Sequence, residues 1–307
     1  MSKEKRLKIA YHGWINLWKP AGISSMQAVS AVRRILKAEK IGHAGTLDPA
    51  ADGILPIALG EATKLIPLLH DSLKTYRFGV NWGVATNTDD TEGEVTATSD
   101  TRPSDAEIAA VLPQFQGTID QVPPPYSAIK INGQRAYALA RKGEEFEITA
   151  RPVYIDSIEL IENQDDSAIF EVTCGTGTYV RSIARDMAEK LGTKAHCGFI
   201  TRVNVGKFTQ ESSISLENLE QIDYTEANAI MWPLINGLDD ILAIAINDTE
   251  LQRLQRGNDI RFLSKMDAAR LPATDPDGPV LAVYQDRVIA ICTLKGVTLQ
   301  PTRVLNT

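Results

Sequence analysis

Long apolar runs are missing from this chain of 307 residues. None approaches the roughly 20 residues that a membrane-spanning helix needs. The start, MSKEKRLKIAYHGW, is charged and then broken by His12 and Gly13, which excludes the apolar core of a signal peptide. A soluble, cytoplasmic protein without a membrane partner is therefore expected. Cysteine is scarce. Cys174, Cys197 and Cys292 lie far apart, with no CxxC pair and no His at finger spacing, so the pattern supports neither a disulfide framework nor a zinc site. Buried reduced thiols are expected instead. The run Gly60-Glu61-Ala62-Thr63-Lys64 lacks the second glycine of a P-loop, and Gly175-Thr176-Gly177 lacks the third glycine of a dinucleotide fingerprint, with Val180 in its place. No metal, nucleotide or redox cofactor is expected. Positive charge is also short: 32 Lys and Arg against 39 Asp and Glu give a net charge of -7. Taken alone, that argues against a nucleic-acid partner, because phosphate binding relies on Lys and Arg.

The distribution of charge weakens that objection. Residues 1–75 hold 11 Lys/Arg against 6 Asp/Glu, whereas residues 211–307 hold 8 against 14, which leaves room for a basic face away from the C-terminal end. The length suits one large core with a smaller appendage. WINLWKPAGISS reads as a strand running into a Pro/Gly turn, followed by a helix from about Ser24 to Ala38 capped by Ser24 or Ser25. Residues 41–66 are too rich in Gly and Pro for regular structure until the apolar run 54–59, and are expected as a loop held by the core. A strand over 74–84, a returning hairpin, and a helix over 104–112 capped by Ser104 follow.

Between Val122 and Arg151 the character changes. Three prolines, a turn at Asn132-Gly133 and a basic helix to about Lys142 describe an inserted arm at about 122–151. Strands over 152–162 and 168–174 lead through a glycine turn into a helix ending at Gly192, and another helix is expected near 215–236. The expected division is a body over residues 1–248 and a small β-rich unit over 249–307.

Chemistry concentrates in the run from Gly42 to Pro56. Glycines on both sides of Asp48 let the backbone approach a ligand, and Pro49 holds Asp48 extended, fixing where its carboxylate points. An Asx-turn, with Asp48 bonding nearby amides, is the plain alternative. His43 is open to the same two readings. Tyr76, Phe78 and Val80 share one face of a strand, a pattern that core packing explains. The loop Thr86 to Thr91, with Asp90, is dense in donors and acceptors that suit a sugar or base edge, and equally suit a solvated turn. Arg181 and Arg185 lie one turn apart on a helix that starts after glycines; Arg181 has either a carboxylate or phosphate partner, or a surface pair with Asp186 or Glu189. On the arm, Lys130, Arg135, Arg141 and Lys142 accompany Tyr126 and Tyr137, offering cations for phosphate and rings for stacking.

Taken together, these segments resemble the TruB family of tRNA pseudouridine synthases over most of residues 14–210. The resemblance rests on Lys19, Pro20, Gly22 and Ser25; on the gapless Gly-x-x-Gly-Thr-Leu-Asp-Pro-x-Ala-x-Gly-x-Leu from Gly42 to Leu55; and on Lys74 with Tyr76. The Pro-Pro-x-x-Ser-Ala-x-Lys element that ends at Lys130 and the Gly-Thr-Tyr-x-Arg-x-x-x-x-Asp element from Gly177 to Asp186 complete it. The implied fold is α+β, a mixed, largely antiparallel central sheet with flanking helices plus a small C-terminal PUA-like domain. The implied activity is isomerisation of a T-loop uridine to pseudouridine, with no cofactor and with the T-arm of tRNA as the partner. No obligatory protein partner is evident.

The resemblance makes Asp48 the essential carboxylate, with Tyr76 on the target base and Arg181 paired to Asp48. It makes His43 the side chain that replaces the flipped base, and puts Tyr179 and Ile200 in the pocket. Lys64, Asp90, Lys130 and Arg202 are the further RNA-contact candidates. One departure stands out: Thr201 occupies a position where the family commonly has Arg. Two other classes compete: a non-catalytic RNA-binding protein using the same groove, and a glycosidase in which Asp52 or Asp90 supplies a second carboxylate beside Asp48.

Overall fold

The computed structural model describes residues 8–306 except 70, 128, 132, 145, 239, 240 and 275. Strand β1 (Gly13–Lys19) turns at Pro20–Gly22 into helix α1 (Ser25–Leu36). Ser24 caps this helix: its hydroxyl accepts from the Gln27 amide, and the Gln27 side chain accepts from the Ser24 amide. β2 (Ile41–His43), β3 (Asp52–Leu59), a 3-10 turn (Gly60–Lys64), α2 (Ile66–Leu69) and β4 (Lys74–Trp82) follow. After them come β5 (Val84–Thr86), β6 (Val95–Thr98), α3 (Asp105–Val111) and β7 (Gly117–Gln121). The arm holds β8 (Lys130–Ile131), β9 (Gln134–Arg135) and α4 (Ala136–Arg141), and the expected turn between its strands includes Asn132, outside the described residues. The chain returns through β10 (Arg151–Asn163), β11 (Ser167–Cys174), α5 (Val180–Lys190) and β12 (Ala195–Val205). β13 (Phe208–Thr209), β14 (Ile214–Ser215) and α6 (Leu216–Glu220) close the main body. The C-terminal unit is β15 (Ala243–Ala245), α7 (Asp248–Gln255), β16 (Ile260–Arg261), α8 (Lys265–Ala268), β17 (Val280–Tyr284), β18 (Arg287–Lys295) and β19 (Thr298–Val304).

The main sheet runs β14-β1-β3-β12-β4-β11-β10-β7, antiparallel throughout except where β1 meets β14 and β3 meets β12. Alternation along β4 and β11 creates one apolar face: Phe78 lies opposite Phe170, and Val80 opposite Ala168. Val180, Ile183, Ala184 and Met187 of α5 cover it. The helix is thereby held flat on the sheet, with its N-terminus at the cleft.

Three expectations are revised. Residues 41–43 and 52–59 are strands, so the loop shrinks to 44–51. Pro56 is tolerated because that edge of β3 pairs with β12 at Asp52–Gly53 and with β2 from Ile57 to Leu59, and the missing N–H falls between the two. The helix near 215–236 ends at Glu220. Asp223 then folds into a turn by accepting from the Thr225 amide, and the chain runs along β1, where Trp14 pairs with Trp232. Finally, the C-terminal sheet, ordered β15-β17-β18-β19-β16, begins at Ala243. It shares a core with the main body, in which Leu281, Val288 and Leu305 lie in one apolar cluster with Trp14, Leu69 and Phe208. All three cysteines are buried and free.

Candidate active site

Residues 44–51 cross between β2 and β3, and main-chain groups on both sides of Asp48 are tied to separate elements. The Ser25 hydroxyl, at the start of α1, accepts from the Leu47 amide at 2.8 Å and donates to the Leu47 carbonyl at 3.0 Å. Beyond Asp48, the Pro49 carbonyl accepts from the Gly22 amide at 2.8 Å. Lys19 lies beneath, its ammonium spent on the carbonyls of Pro20 and Ile23, and burial lowers its pKa. Arg202 of β12 holds the other flank, donating to the carbonyls of Gly45 at 3.0 Å, Thr46 at 3.5 Å and Ile54 at 2.7 Å. A loop so fixed presents one side chain to the cleft in one orientation: Asp48, 48% exposed.

The guanidinium of Arg181, on the first turn of α5, is 7% exposed and joins four segments. One terminal nitrogen donates to Asp48 at 2.9 Å and to the Tyr126 carbonyl at 3.1 Å. The other donates to Asp90 at 3.0 Å and to the Thr88 carbonyl at 2.9 Å. Arg181 is therefore the counter-ion of two carboxylates and the bolt between the Asp48 loop, the hairpin loop and the root of the arm. The Asx-turn alternative for Asp48 is set aside, because its carboxylate is directed at Arg181 and only its main-chain carbonyl closes the turn to Ala51. One turn along α5, Arg185 takes the local partner Asp186 and also Asp89, at 2.8 and 2.7 Å.

Two cavities meet at Asp48. The inner one, about 110 Å³, is walled by Leu47, Ala51, Val180 and Ile200. The outer one, about 370 Å³, is lined by Lys74, Tyr126, Ser127, Arg135, Tyr137 and Arg202. Thr46, Asp48, Tyr76 and Tyr179 border both. Tyr76 is partly buried, and burial raises its pKa, opposed by Arg202 beside its hydroxyl, so the phenol is neutral at pH 7. Lys74, two residues earlier on the same face of β4, donates to Thr176 at 2.9 Å, and burial lowers its pKa to about 8. A wider groove of about 1060 Å³ lies behind the arm against α5, but Glu144, Glu147, Asp186 and Glu189 line it, and such a wall repels phosphate.

Among the residues expected at a site, the fold brings Asp48, Tyr76, Tyr179, Arg181, Ile200 and Arg202 to the cavities and Asp90 to Arg181. His43 ends β2 opposite Ile57, outside both linings. Lys130 is exposed on the arm. Two RNA-contact expectations are redirected. Arg202 is 1% exposed, with its guanidinium consumed by main-chain carbonyls. Lys64 donates to Glu61 at 2.5 Å and to the Val304 carbonyl at 3.0 Å, a tie to the C-terminal sheet. Thr201 donates to Asp52 at 2.6 Å, joining β12 to β3. With Asp52 held by Thr201 and Asp90 by Arg181, neither is placed as the free second acid of a glycosidase. Sequence reasoning missed Ser127, Lys74 and the Gly175–Thr178 turn as lining; the strand alternation linking Lys74 to Tyr76 was the available signal.

Known proteins resemble this chain in sequence and in fold. Residues 33–180 match the TruB family pseudouridylate synthase N-terminal domain. A Cbf5-Nop10-Gar1 complex contains a chain of the same fold, with a TM-score of 0.75 over 95% of this chain and 84% of that one at 24% identity. Fold and sequence thus define a pseudouridylate synthase. Among curated relatives, tRNA pseudouridine synthase B of Caulobacter vibrioides is 45% identical over 300 residues, covering 97% of each chain. The enzyme of the same name from Dinoroseobacter shibae is 46% identical over 301 residues, covering 97% of this chain and 96% of its own. The chain belongs to the TruB family.

Proposed function

We propose that this chain isomerises a uridine in the T-loop of transfer RNA to pseudouridine, with Asp48 as the essential carboxylate. The observation that carries the reading is the position of Asp48, paired with Arg181 where a small cavity walled by Leu47, Ala51, Val180 and Ile200 meets a larger one that Lys74 and Arg135 help to line. The relatives' name, tRNA pseudouridine synthase B, supports the substrate.

The reaction breaks the N1–C1' bond, turns the uracil, joins C5 to C1', and moves the C5 proton away while N1 gains one. A stacked uracil is out of reach, so the nucleotide must be extruded, which costs on the order of a few kcal/mol. His43 is assigned to fill the vacated stack. The ring enters the inner cavity against Ile200 and Tyr76, which sets C1' beside Asp48. Arg181 holds the Asp48 carboxylate where the two cavities meet, by a hydrogen bond of 2.9 Å, and there the carboxylate acts on the sugar or base. Tyr76, a neutral phenol, serves as a stacking surface and hydrogen-bonding group rather than as a phenolate base. Lys130, Arg135 and Arg141 on the arm are assigned to the T-arm phosphates, and Tyr179 to the pocket wall. In this reading the body before Ala243, rather than up to residue 248, forms the catalytic unit with the arm at 122–151, and the unit built on the C-terminal sheet from Ala243 onward acts as a PUA-like RNA-contacting unit.

Asp48→Asn keeps the size of the side chain and removes its charge. Loss of tritium release from T-arm RNA carrying [5-³H]uridine is expected, with RNA binding nearly unchanged. Substantial release by the variant would rule out the assignment.

A further inference from the structure

We infer that Ser127 binds substrate, its hydroxyl taking a hydrogen bond from or giving one to the ribose-phosphate backbone of the extruded uridine; this rests on the function proposed above. Ser127 is 4% exposed, and among the described residues its Oγ has no hydrogen-bond partner. Burying a hydroxyl without a partner is unfavourable, and buried serines elsewhere in this protein avoid it. Ser25 uses its hydroxyl twice on Leu47, and Ser182 donates to the Val122 carbonyl at 2.9 Å.

The backbone around Ser127 is pinned from both sides. The preceding carbonyl, of Tyr126, accepts from Arg181, and its own carbonyl accepts from the Tyr137 amide at 3.1 Å. The residue therefore lines the outer cavity beside Arg135, one residue from the group that holds the Asp48 counter-ion, and rotation about its own Cα–Cβ bond brings the buried hydroxyl to a ligand there while the backbone stays in place.

Which part of the nucleotide Ser127 meets follows from the two cavities. The inner one pairs the aliphatic side chains of Leu47, Ala51, Val180 and Ile200 with the rings of Tyr76 and Tyr179, which suits a flat base, and has Arg181 and Thr178 for its polar edge, while Lys74 and Arg135 in the outer one suit an anionic backbone. Asp48 stands between them, where C1' must lie, and Ser127 borders only the outer side. A serine hydroxyl donates to a phosphate oxygen or accepts from a ribose 2'-OH, and either completes the orphan group.

The test compares wild type, Ser127→Ala and Ser127→Thr in the full chain, by thermal unfolding and by T-arm RNA affinity on an Asp48→Asn background. Ser127→Ala is expected to unfold at the same or a higher temperature than wild type, because it removes an unsatisfied group, while binding T-arm RNA roughly five- to tenfold more weakly. Ser127→Thr, which keeps the hydroxyl, should stay within about twofold of wild type. Two altered RNAs separate the sources. If the partner is the 2'-OH, 2'-deoxyuridine at the target weakens wild type and not Ser127→Ala. If it is phosphate, a methylphosphonate beside the target does so. Wild-type affinity of Ser127→Ala for every RNA overturns the inference. So does a lowered unfolding temperature, which would make the hydroxyl structural, or a loss confined to uracil-to-cytosine replacement. Pseudouridine formation by wild type on the same RNA is scored separately: its absence refutes the function, whereas its presence beside an indifferent Ser127→Ala refutes only this inference.

Discussion

Arg202 and Arg181 are both buried guanidiniums, yet they do different work. Arg181 meets carboxylates, whereas Arg202 meets carbonyls and so shapes the loop on which Asp48 stands. Replacing Arg202 by Met would strand buried carbonyls without donors, at about 1–3 kcal/mol each. Arg202→Met should therefore lose about 3 kcal/mol or more in urea denaturation, and its turnover should fall further than its RNA affinity. A variant within about 0.5 kcal/mol of wild type would show that the loop stands without that staple. Asp48 stood out in the sequence because the run from Gly42 to Leu55 carries no gap; Tyr76 and Arg181 came from two separate elements, and the fold sets all three around one cavity, with Arg181 paired to Asp48. The direction of Arg202 was not. β12 shifts register between Arg202 and Asn204, and again between Cys197 and Phe199, so simple alternation cannot tell which face an arginine takes.

At the level of elements, β3 and β12 touch at a point that permits only glycine. Gly53 has φ of +108°, and an added Cβ would lie 2.2 Å from the Arg202 carbonyl oxygen and 2.7 Å from the Arg202 nitrogen. Those atoms belong to a central strand and cannot swing aside as a side chain would. Gly53→Ala is expected to part the two strands, destabilise the protein by about 3 kcal/mol or more and lower soluble yield. A thermal melt matching wild type would refute the close approach. Helices with capping boxes, over 25–36 and 105–111, were read correctly because their signals are local. The strands at 41–43 and 52–59 were hidden by Gly and Pro residues whose tolerance depends on which neighbour each edge meets. The expected helix near 215–236 failed for a tertiary reason too, since after Glu220 the stretch follows turns and a short 3-10 helix at Ala227–Ala229 and is tied back by Tyr11 to the Tyr224 carbonyl and by Trp14 to Trp232.

Across the whole molecule, the two sheets are joined by polar ties as well as by their common apolar cluster. Glu61 accepts from Lys64 at 2.5 Å and from the Asn306 amide at 2.8 Å, while Lys64 reaches the Val304 carbonyl. Burial alone would raise the pKa of Glu61, but those donors outweigh it and the net shift is downward. A depressed carboxylate stabilises the fold fully above its ordinary value of 4.5, and that contribution is lost as pH falls through the lower folded value. Wild type should therefore exceed Glu61→Gln in stability at pH 7, and the gap should close in acid when both are unfolded by urea. A gap of the same size across the whole acid range down to acid unfolding would refute the charge-based tie. The sheet order has a further consequence for biosynthesis. β12, which separates β3 from β4, is encoded some 140 residues after β3. At ribosomal rates of about 5–20 residues per second, the growing chain carries a bare edge on β4, and on β3 at Asp52–Gly53, for roughly 7–28 s before the wedge between them emerges. During that interval the nascent protein is most exposed to pairing with the wrong neighbour, and a holding chaperone would help most then.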